Sequence, residues 1–362
     1  MTTTCGQETR QAHGRLLRCV LGIAVALCAA PWAATAFARG DHDGGKPRGR
    51  FCSATALAQF VACENEARDD SSRAQAICTN LSDAEERGDC LEAAKTESRA
   101  ARQLCREQRA ARSDLCAALG EQRYDPSFDP ADFDSDFTSL TQPNPYFPLG
   151  IGSRWAYVGG DETVTVEVLE RTKRIEGVTC IAVNDRVERE GQLVEDTDDW
   201  YGQRRDGTVD YCGELARDFE TFEGDDPEAP ELVDIGGSWK AGRDGAKPGT
   251  IFLASPAPGA VYRQEWAPGD AEDAARVLST SYGLGADPEL DELVPGELAE
   301  LLCAARDCVV TGEITPLEPG AFARKYYAAG IGLFLEVNPE TEEVVRLVDC
   351  NVDPRCADLP AP

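Results

Sequence analysis

Six cysteines in the first third of the chain are arranged symmetrically about residue 84. They form three pairs equidistant from this centre: Cys52 and Cys116, Cys63 and Cys105, and Cys78 and Cys90. Two antiparallel helices that turn at the centre would bring each pair together, because every residue away from the turn advances both helices by about 1.5 Å. The spacing therefore predicts a helical hairpin closed by three disulfide bonds.

The residues around these cysteines favour helix. Residues 51–120 are rich in Ala, Glu, Arg, Leu and Gln and contain no proline. Asn80 can end the first helix, residues 82–85 have the form of a capping box for the second, and Gly88 loosens the connection. Two helices bury little apolar surface, so the need to stabilise the hairpin is enough to explain its three predicted disulfide bonds. The hairpin is either a docking arm or, as we expect, a spacer that packs on the next domain.

The start of the chain predicts export. Residues 1–38 combine Arg10, Arg15 and Arg18 with an apolar run at 19–30 and small residues before the expected cleavage site. The run is too short for a transmembrane helix, and no later segment approaches the required length. We therefore predict a secreted or periplasmic protein without a transmembrane helix.

Removal of this signal peptide leaves twelve of the fifteen cysteines. An even number of cysteines in an exported chain indicates disulfide bonds rather than metal thiolates. The spacing leaves the partners of the last six open: Cys180, Cys212, Cys303, Cys308, Cys350 and Cys356.

Charge and histidine content exclude several classes of function. The chain has 65 acidic and 36 basic residues and a formal net charge of −29, which argues against binding to nucleic acid phosphates. Its two histidines, His13 and His42, precede the predicted folded part of the protein. That part therefore lacks the residues for Ser-His-Asp or Cys-His catalysis and for histidine-ligated metals. The expected partner is an unknown ligand of the cell envelope or extracellular space.

Composition divides the remaining chain into further segments. A flexible leader at 39–50 precedes the hairpin at 51–120, and an acidic, proline-containing linker at 121–145 leads to a β domain at 146–362.

In the linker, Asp132, Asp134 and Asp136 alternate like calcium ligands, but Phe137 and Pro143 stand where a calcium loop needs Gly and Glu. We therefore expect a solvated linker anchored to the body by three aromatic residues: Phe128, Phe133 and Phe137.

Short alternating or β-branched segments dominate the last domain. They predict strands at 154–158, 162–168, 178–183, 192–194, 199–201, 209–212, 261–266, 322–327, 333–337 and 344–348. Helical patterns occur at 271–278 and 295–305. The glycine-containing and acidic turns at hairpin distances indicate an antiparallel meander. The predicted fold class is α+β: the stapled hairpin followed by an antiparallel sheet, curved or forming a half barrel.

Several segments of the mature chain resemble a family of uncharacterised bacterial exported proteins. The resemblance rests on LGEQRYDP at 119–126, NPYFPL at 144–149, GSRWAY at 152–157, DWYGQ at 199–203, YCGE at 211–214, GSWKAG at 237–242, YRQE at 262–265 and KYYAAGIG at 325–332. The chain departs from the family at Arg204, Arg205 and Asp210. The resemblance implies export and a β-rich C-terminal domain, and it carries no activity.

A pair of carboxylates is the first candidate for a site. The Asp-Gly dipeptide at 206–207 predicts a tight hairpin turn, and counting outward places Gln203 opposite Asp210 and Asp199 opposite Glu214. Like charges directly across a ladder are destabilising, so a cation, a bound metal or a shared proton is expected there.

Further acids follow in the sequence. Glu265 lies on the predicted strand at 261–266, and Glu272 and Asp273 lie on the predicted helix at 271–278. Such a cluster could bind calcium or magnesium, or act as the acid and base of a glycosidase. Alternatively, the acids are solvated or paired with neighbouring cations: Arg204, Arg263 and Lys240.

The sequence therefore predicts an exported structural or binding protein rather than an enzyme. The candidate binding residues are Asp199, Glu214, Glu265 and Asp273. Two alternatives stay open: a carboxylate-dependent, glycosidase-like hydrolase and a ligand-binding module that depends on a divalent cation. No other cofactor is predicted. Four tryptophans could line a sugar or lipid groove or belong to the core: Trp155, Trp200, Trp239 and Trp266.

Overall fold

The computed structural model describes residues 49–361 of the protein. The predicted signal peptide at 1–38 and all but the last two residues of the predicted leader lie outside this range. The described residues form three α-helices, two short 3-10 helices and fifteen β-strands. The α-helices are α1 (Phe51–Thr79), α2 (Ala84–Leu119) and α3 (Gly296–Leu302), and the 3-10 helices are Pro130–Asp132 and Pro354–Asp358.

Helices α1 and α2 form the predicted antiparallel hairpin. Its three disulfides join Cys52 to Cys116, Cys63 to Cys105 and Cys78 to Cys90, with Cα–Cα distances of 5.6, 5.7 and 5.5 Å. The symmetric spacing thus predicted all three bonds correctly.

The turn of the hairpin differs in detail from the prediction. The side chain of Asp83 caps α2 by accepting hydrogen bonds from the backbone N–H groups of Glu85 at 2.8 Å and Glu86 at 2.9 Å. The helix therefore begins one residue later than a cap at Ser82 would place it. Gly88 lies inside α2 rather than in the connection, so it does not loosen the turn.

The fifteen strands belong to one antiparallel sheet. They are β1 (Arg154–Gly159), β2 (Glu162–Ile175), β3 (Val178–Arg189), β4 (Gln192–Gln203), β5 (Val209–Leu215), β6 (Asp218–Glu220), β7 (Glu231–Asp234), β8 (Trp239–Lys240), β9 (Gly249–Phe252), β10 (Val261–Arg263), β11 (Ala274–Tyr282), β12 (Cys308–Ile314), β13 (Phe322–Ala328), β14 (Gly332–Asn338) and β15 (Glu343–Cys350).

The order of the strands makes the sheet an almost uninterrupted meander. Its path is β10-β11-β12-β13-β14-β15-β1-β2-β3-β4-β5-β8, with β6 and β7 added beside β4, and β9 beside β5. The sheet is curved and not closed, which confirms the predicted α+β class. Its main hydrophobic core contains residues from both halves of this path, for example Val164 and Tyr326.

One predicted helix is wrong, and five strands were not predicted: β6, β7, β8, β9 and β12. Residues 271–278 were expected to be helical, but β11 begins at Ala274 and pairs with β10 on one side and β12 on the other. The alanines of this segment favour helix, yet Ala274, Ala275 and Val277 are each at most 1% exposed within the sheet. Tertiary burial therefore overrides local propensity here. Strand β12 follows directly after the correctly predicted α3.

The linker packs on the sheet domain through its phenylalanines, as predicted. Phe133 and Phe137 are buried, and the ring of Phe128 contacts the edge of Phe133 at 5.1 Å between centroids. Asp134 is buried rather than solvated, and its carboxylate accepts hydrogen bonds from the Thr141 amide at 2.8 Å and hydroxyl at 2.7 Å. These bonds explain Asp134 as part of a turn.

The hairpin is attached to the sheet domain near its open end. Arg112 of α2 makes two hydrogen bonds to Glu272, at 2.7 and 2.9 Å, and both side chains are buried. The amide of Gln108 donates to the carbonyl oxygen of Leu317 at 2.8 Å. Nearer the turn, Ile77 is 68% exposed. The base of the hairpin thus packs on the next domain, as the spacer interpretation requires.

The remaining cysteines form three further disulfides: Cys180–Cys212, Cys303–Cys308 and Cys350–Cys356. All twelve cysteines of the described range are therefore paired, which indicates that the protein folds in an oxidising compartment. Between residues 49 and 361, none of the helices has the length and apolar character needed to cross a membrane.

Candidate functional site

Carboxyl side chains cluster on the inner face of the curved sheet. We call this set the carboxyl cluster; it comprises Asp185, Glu195, Asp199, Glu214, Glu265, Asp273, Glu313 and Glu336. Each member either raises the pKa of another member or has its own pKa raised by one, so their charges lie close enough to repel. All four predicted binding residues are members.

The predicted pairing of Asp199 with Glu214 across β4 and β5 is confirmed. The residues nearer the turn are paired differently, because Gln203 lies opposite Val209 instead of Asp210. Three residues, rather than two, form the loop between Arg204 and Thr208. A bulge at Cys212 then restores the register.

Asp199 is held in a buried, hydrogen-bonded position. The hydroxyl of Tyr211 donates to its Oδ1, and only 3% of the residue is exposed. Burial outweighs the hydrogen bond from Tyr211, which lowers the pKa of Asp199, and together with the charge of Glu195 it raises this pKa to about 7. Asp199 therefore holds its proton to a much higher pH than an exposed aspartate does.

Glu214 shares this environment. Burial and the charge of Asp199 raise the pKa of Glu214 well above its ordinary value. The two carboxyls are coupled, because ionising one makes ionising the other less favourable. The raised pKa values of both carboxyls agree with a shared proton, which is one of the three arrangements expected for facing carboxyls.

Glu265 and Asp273 extend the cluster beyond β5. They lie between β10 and β11, where the backbone N–H groups of Gln264 and Glu265 both donate to the carbonyl oxygen of Asp273, at 2.8 and 3.1 Å. Burial, Asp273 and Glu214 raise the pKa of Glu265 well above its usual range. Glu272 instead turns away to Arg112, so the structure separates it from its sequence neighbour.

The cluster also has members that the sequence did not single out. Lys325 Nζ lies 2.8 Å from Glu313 Oε2 and 3.8 Å from Glu336 Oε2. Burial raises the pKa of Glu336 to about 7, while the charge of Lys325 lowers it. A signal did exist for Asp185, which stands between Val183 and Val187 on the apolar face of an alternating strand.

The structure gives no support to a divalent-cation centre in the part that it describes. Among residues 49–361, no three or more acidic, cysteine or histidine side chains have an arrangement suited to hold a metal ion. Arg204 pairs with Asp210 at 2.6 Å rather than with Asp199 or Glu214.

An open groove of about 550 Å³ lies beside the cluster, between α1 and the sheet. We call it the tryptophan groove, because Trp200, Trp239 and Trp266 line it together with Glu214. Glu214 is partly exposed, so the carboxyl pair reaches the surface here through one of its two members.

Cationic side chains also line the tryptophan groove: Lys173, Lys240 and Arg243. Lys173 Nζ lies 3.3 Å from the centre of the Trp200 ring. Burial lowers the pKa of Lys173, and the charges of Lys240 and Arg243 lower it further, which indicates that the three cations converge. In the described range, Lys240 and Arg243 have no ion pair with an acidic side chain.

Trp239, one of the lining residues, carries a buried donor. The indole Nε1 of Trp239 is inaccessible to solvent and has no hydrogen-bond acceptor within residues 49–361. The groove therefore combines aromatic rings with three converging cations, beside the acids Asp244 and Asp270. Such a combination suits a ligand that has both a flat apolar face and negatively charged oxygens.

Comparison with protein-family models, curated proteins and solved structures finds no match to this chain. The resemblance to a family of exported proteins therefore stays a prediction, and the function must be argued from the geometry.

Proposed function

We propose that the protein is a secreted or periplasmic binding protein whose tryptophan groove holds an acidic saccharide. The observation that carries this proposal is the meeting of three tryptophans and three converging cations in one groove. Export is supported by the six disulfides and by the basic, apolar start of the chain.

The aromatic side chains favour a sugar over a fully charged ligand. Pyranose rings have an apolar face of C–H groups and a rim of hydroxyls, so they fit a site built from aromatic rings with a few polar groups. Trp266 is only partly buried and leaves aromatic surface within the groove.

The cations select an acidic sugar over a neutral one. A chain with a net charge of −29 repels anions at long range, so an anionic ligand needs local positive charge. Lys240 and Arg243 supply this charge at a site where they are not already used for ion pairs. A carboxylate on the sugar would accept charge-assisted hydrogen bonds from them.

Calorimetric titration with matched oligosaccharides tests this proposal. We expect an oligogalacturonate to bind and a neutral oligosaccharide of the same length to bind at least about tenfold more weakly. The double variant Lys240→Gln and Arg243→Gln should lose this preference, because it removes charge from the rim and leaves the tryptophans in place. Lys95→Gln, an exposed change on α2, is the matched control.

Two results would contradict the proposal. One is the absence of binding by any acidic oligosaccharide to the wild-type protein. The other is unchanged affinity in the double variant, since the cations would then have no part in recognition. Raising the salt concentration should also weaken binding of the acidic ligand, because partly exposed ion pairs are screened.

A glycosidase-like hydrolase is the second candidate, and the position of Glu214 favours it. This carboxyl has a raised pKa, reaches the groove and has Asp199 beside it, as a general acid requires. Product analysis after long incubation with the bound saccharide separates the two functions. Turnover that collapses in Glu214→Gln would establish the hydrolase, whereas intact saccharide with a graded change in affinity would support binding alone.

A further inference from the structure

A second, smaller cavity lies on the inner face of the curved sheet. Its volume is about 120 Å³, and its walls are mainly apolar, including Val164, Val168 and Trp155. We call it the inner cavity. Its polar lining includes Asp185 of β3 and Gln264, which directly follows β10. It shares no lining residue with the tryptophan groove, so the two are separate candidate sites.

Asp185 and Gln264 each carry one oxygen with unused hydrogen-bonding capacity. Asp185 Oδ1 and Gln264 Oε1 are shielded from solvent and have no hydrogen-bond partner in the described chain. The two residues are only 5% and 3% exposed. The amide of Gln264 is held in one orientation, because its Nε2 donates to Glu313 Oε1 at 2.9 Å. Buried oxygens without partners are costly, so a ligand that supplies the missing hydrogen bonds gains affinity here.

The surroundings of the inner cavity favour a neutral ligand over a charged one. Lys325 also lines the cavity, and its ammonium, 2.8 Å from Glu313 Oε2, would repel a second cation. An anion would bring its own charge into the same apolar surroundings. Burial raises the pKa of Asp185 well above its usual range, neighbouring carboxyls raise it further, and the charge of Lys325 lowers it. Asp185 therefore keeps its proton to a higher pH than an exposed aspartate does, and the protonated acid can donate one hydrogen bond.

The cavity also limits the size and character of the ligand. A cavity of about 150 Å³ holds benzene, so this one accommodates roughly five or six heavy atoms. Its valine and tryptophan wall suits a short alkyl chain. A hydroxyl group suits the polar residues, because it can donate to Gln264 Oε1 and accept from the protonated carboxyl of Asp185. We propose that the inner cavity binds a short aliphatic alcohol, with its hydroxyl at Gln264 and Asp185 and its chain against the valines.

Titration of the full chain with 1-butanol at about pH 6 tests this inference. The reporter is the NMR signal of the Trp155 indole N–H, which donates to the carbonyl oxygen of Ile331 at 2.7 Å beside the cavity. Methyl propyl ether is the matched probe, because it is an isomer of butanol without the O–H donor. We expect saturable butanol binding and at least about tenfold weaker binding of the ether. The ions n-butylammonium and butyrate should also bind at least about tenfold more weakly than butanol.

Variants test the roles of the two polar residues after circular dichroism has shown that they fold. Gln264→Met removes the amide oxygen at similar length and should bind butanol and the ether equally. Asp185→Asn is neutral, donates and accepts, and should keep the preference for butanol, as should Asp161→Asn, an exposed control.

Four results would overturn the inference. They are equal binding of butanol and the ether to the wild type, tighter binding of either ion, a preference for butanol that survives in Gln264→Met or is lost in Asp185→Asn, and no saturable butanol binding. The last is expected of a cavity that holds only water. The Lys240→Gln and Arg243→Gln variant should bind butanol normally, so the inner cavity and the tryptophan groove can fail independently.

Discussion

Asp199→Asn is expected to stabilise the protein most at about pH 8 and clearly less at about pH 5. The folded state raises the pKa of Asp199 from 3.8 to about 7, so the folded protein holds a proton there that the unfolded chain has released. The stability contributed by the protonated carboxyl is complete below pH 3.8 and is lost as the pH rises through 7. A shift of about three units corresponds to about 4 kcal/mol, which is the largest gain that the variant can show.

Urea unfolding at the two pH values measures this effect. Asparagine is neutral at both and keeps an oxygen that can accept the hydrogen bond from Tyr211, so the variant removes the charge and little else. Asp161→Asn is the control, because Asp161 is 62% exposed and should change the pH dependence little. If the wild type were equally stable at both pH values, or if Asp199→Asn destabilised the protein at pH 8, the assigned burial of this carboxyl would be wrong.

Arg112→Ala is expected to destabilise the attachment of the hairpin by about 3–5 kcal/mol, because removing one partner of a buried ion pair leaves the other charge unpaired. Here the unpaired group would be Glu272, which would keep only the hydrogen bond from the Gly269 amide at 2.7 Å. Limited proteolysis and urea unfolding should both report the loss. The helices should stay joined, since the three disulfides do not depend on this contact.

Arg106→Ala is the matched control on the same helix. Arg106 is exposed and bonds only to Gln103 of its own helix, so we expect a change of less than about 1 kcal/mol. Replacing both Arg112 and Glu272 by leucine should recover part of the lost stability, because no buried charge then remains. Equal stability of Arg112→Ala and the control would show that the ion pair does not anchor the hairpin.

The helical hairpin could be predicted because its constraint is local and periodic. Helical rise alone relates Cys63 to Cys105 once the turn is placed, and an error of one residue at the cap does not alter the pairing. The facing of Asp199 and Glu214 was also predicted, but through two errors that cancel. The loop between β4 and β5 has one more residue than assumed, which shifts the pairing of the two strands by one residue. The bulge at Cys212 in β5 shifts the pairing back by one residue.

The rest of the candidate site depends on tertiary structure. Glu313 and Glu336 belong to strands far along the chain from Asp185, and only the curvature of the sheet brings them into one cluster. The separation of Glu272 from Asp273 follows from the β conformation that begins at Ala274, where the sequence predicts helix. Gln59 of the hairpin also lines the tryptophan groove, and no pattern within the sequence specifies that contact.

The central claim is that the inner face of the sheet carries carboxyls that keep their protons near neutral pH. Carbon-13 NMR of the Asp and Glu carboxyl carbons, followed from about pH 3 to pH 9, tests it most directly. We predict titration midpoints near 7 for Asp199 and Glu336, assigned by their loss in Asp199→Asn and Glu336→Gln. Titration of every carboxyl below about pH 5 would contradict the claim.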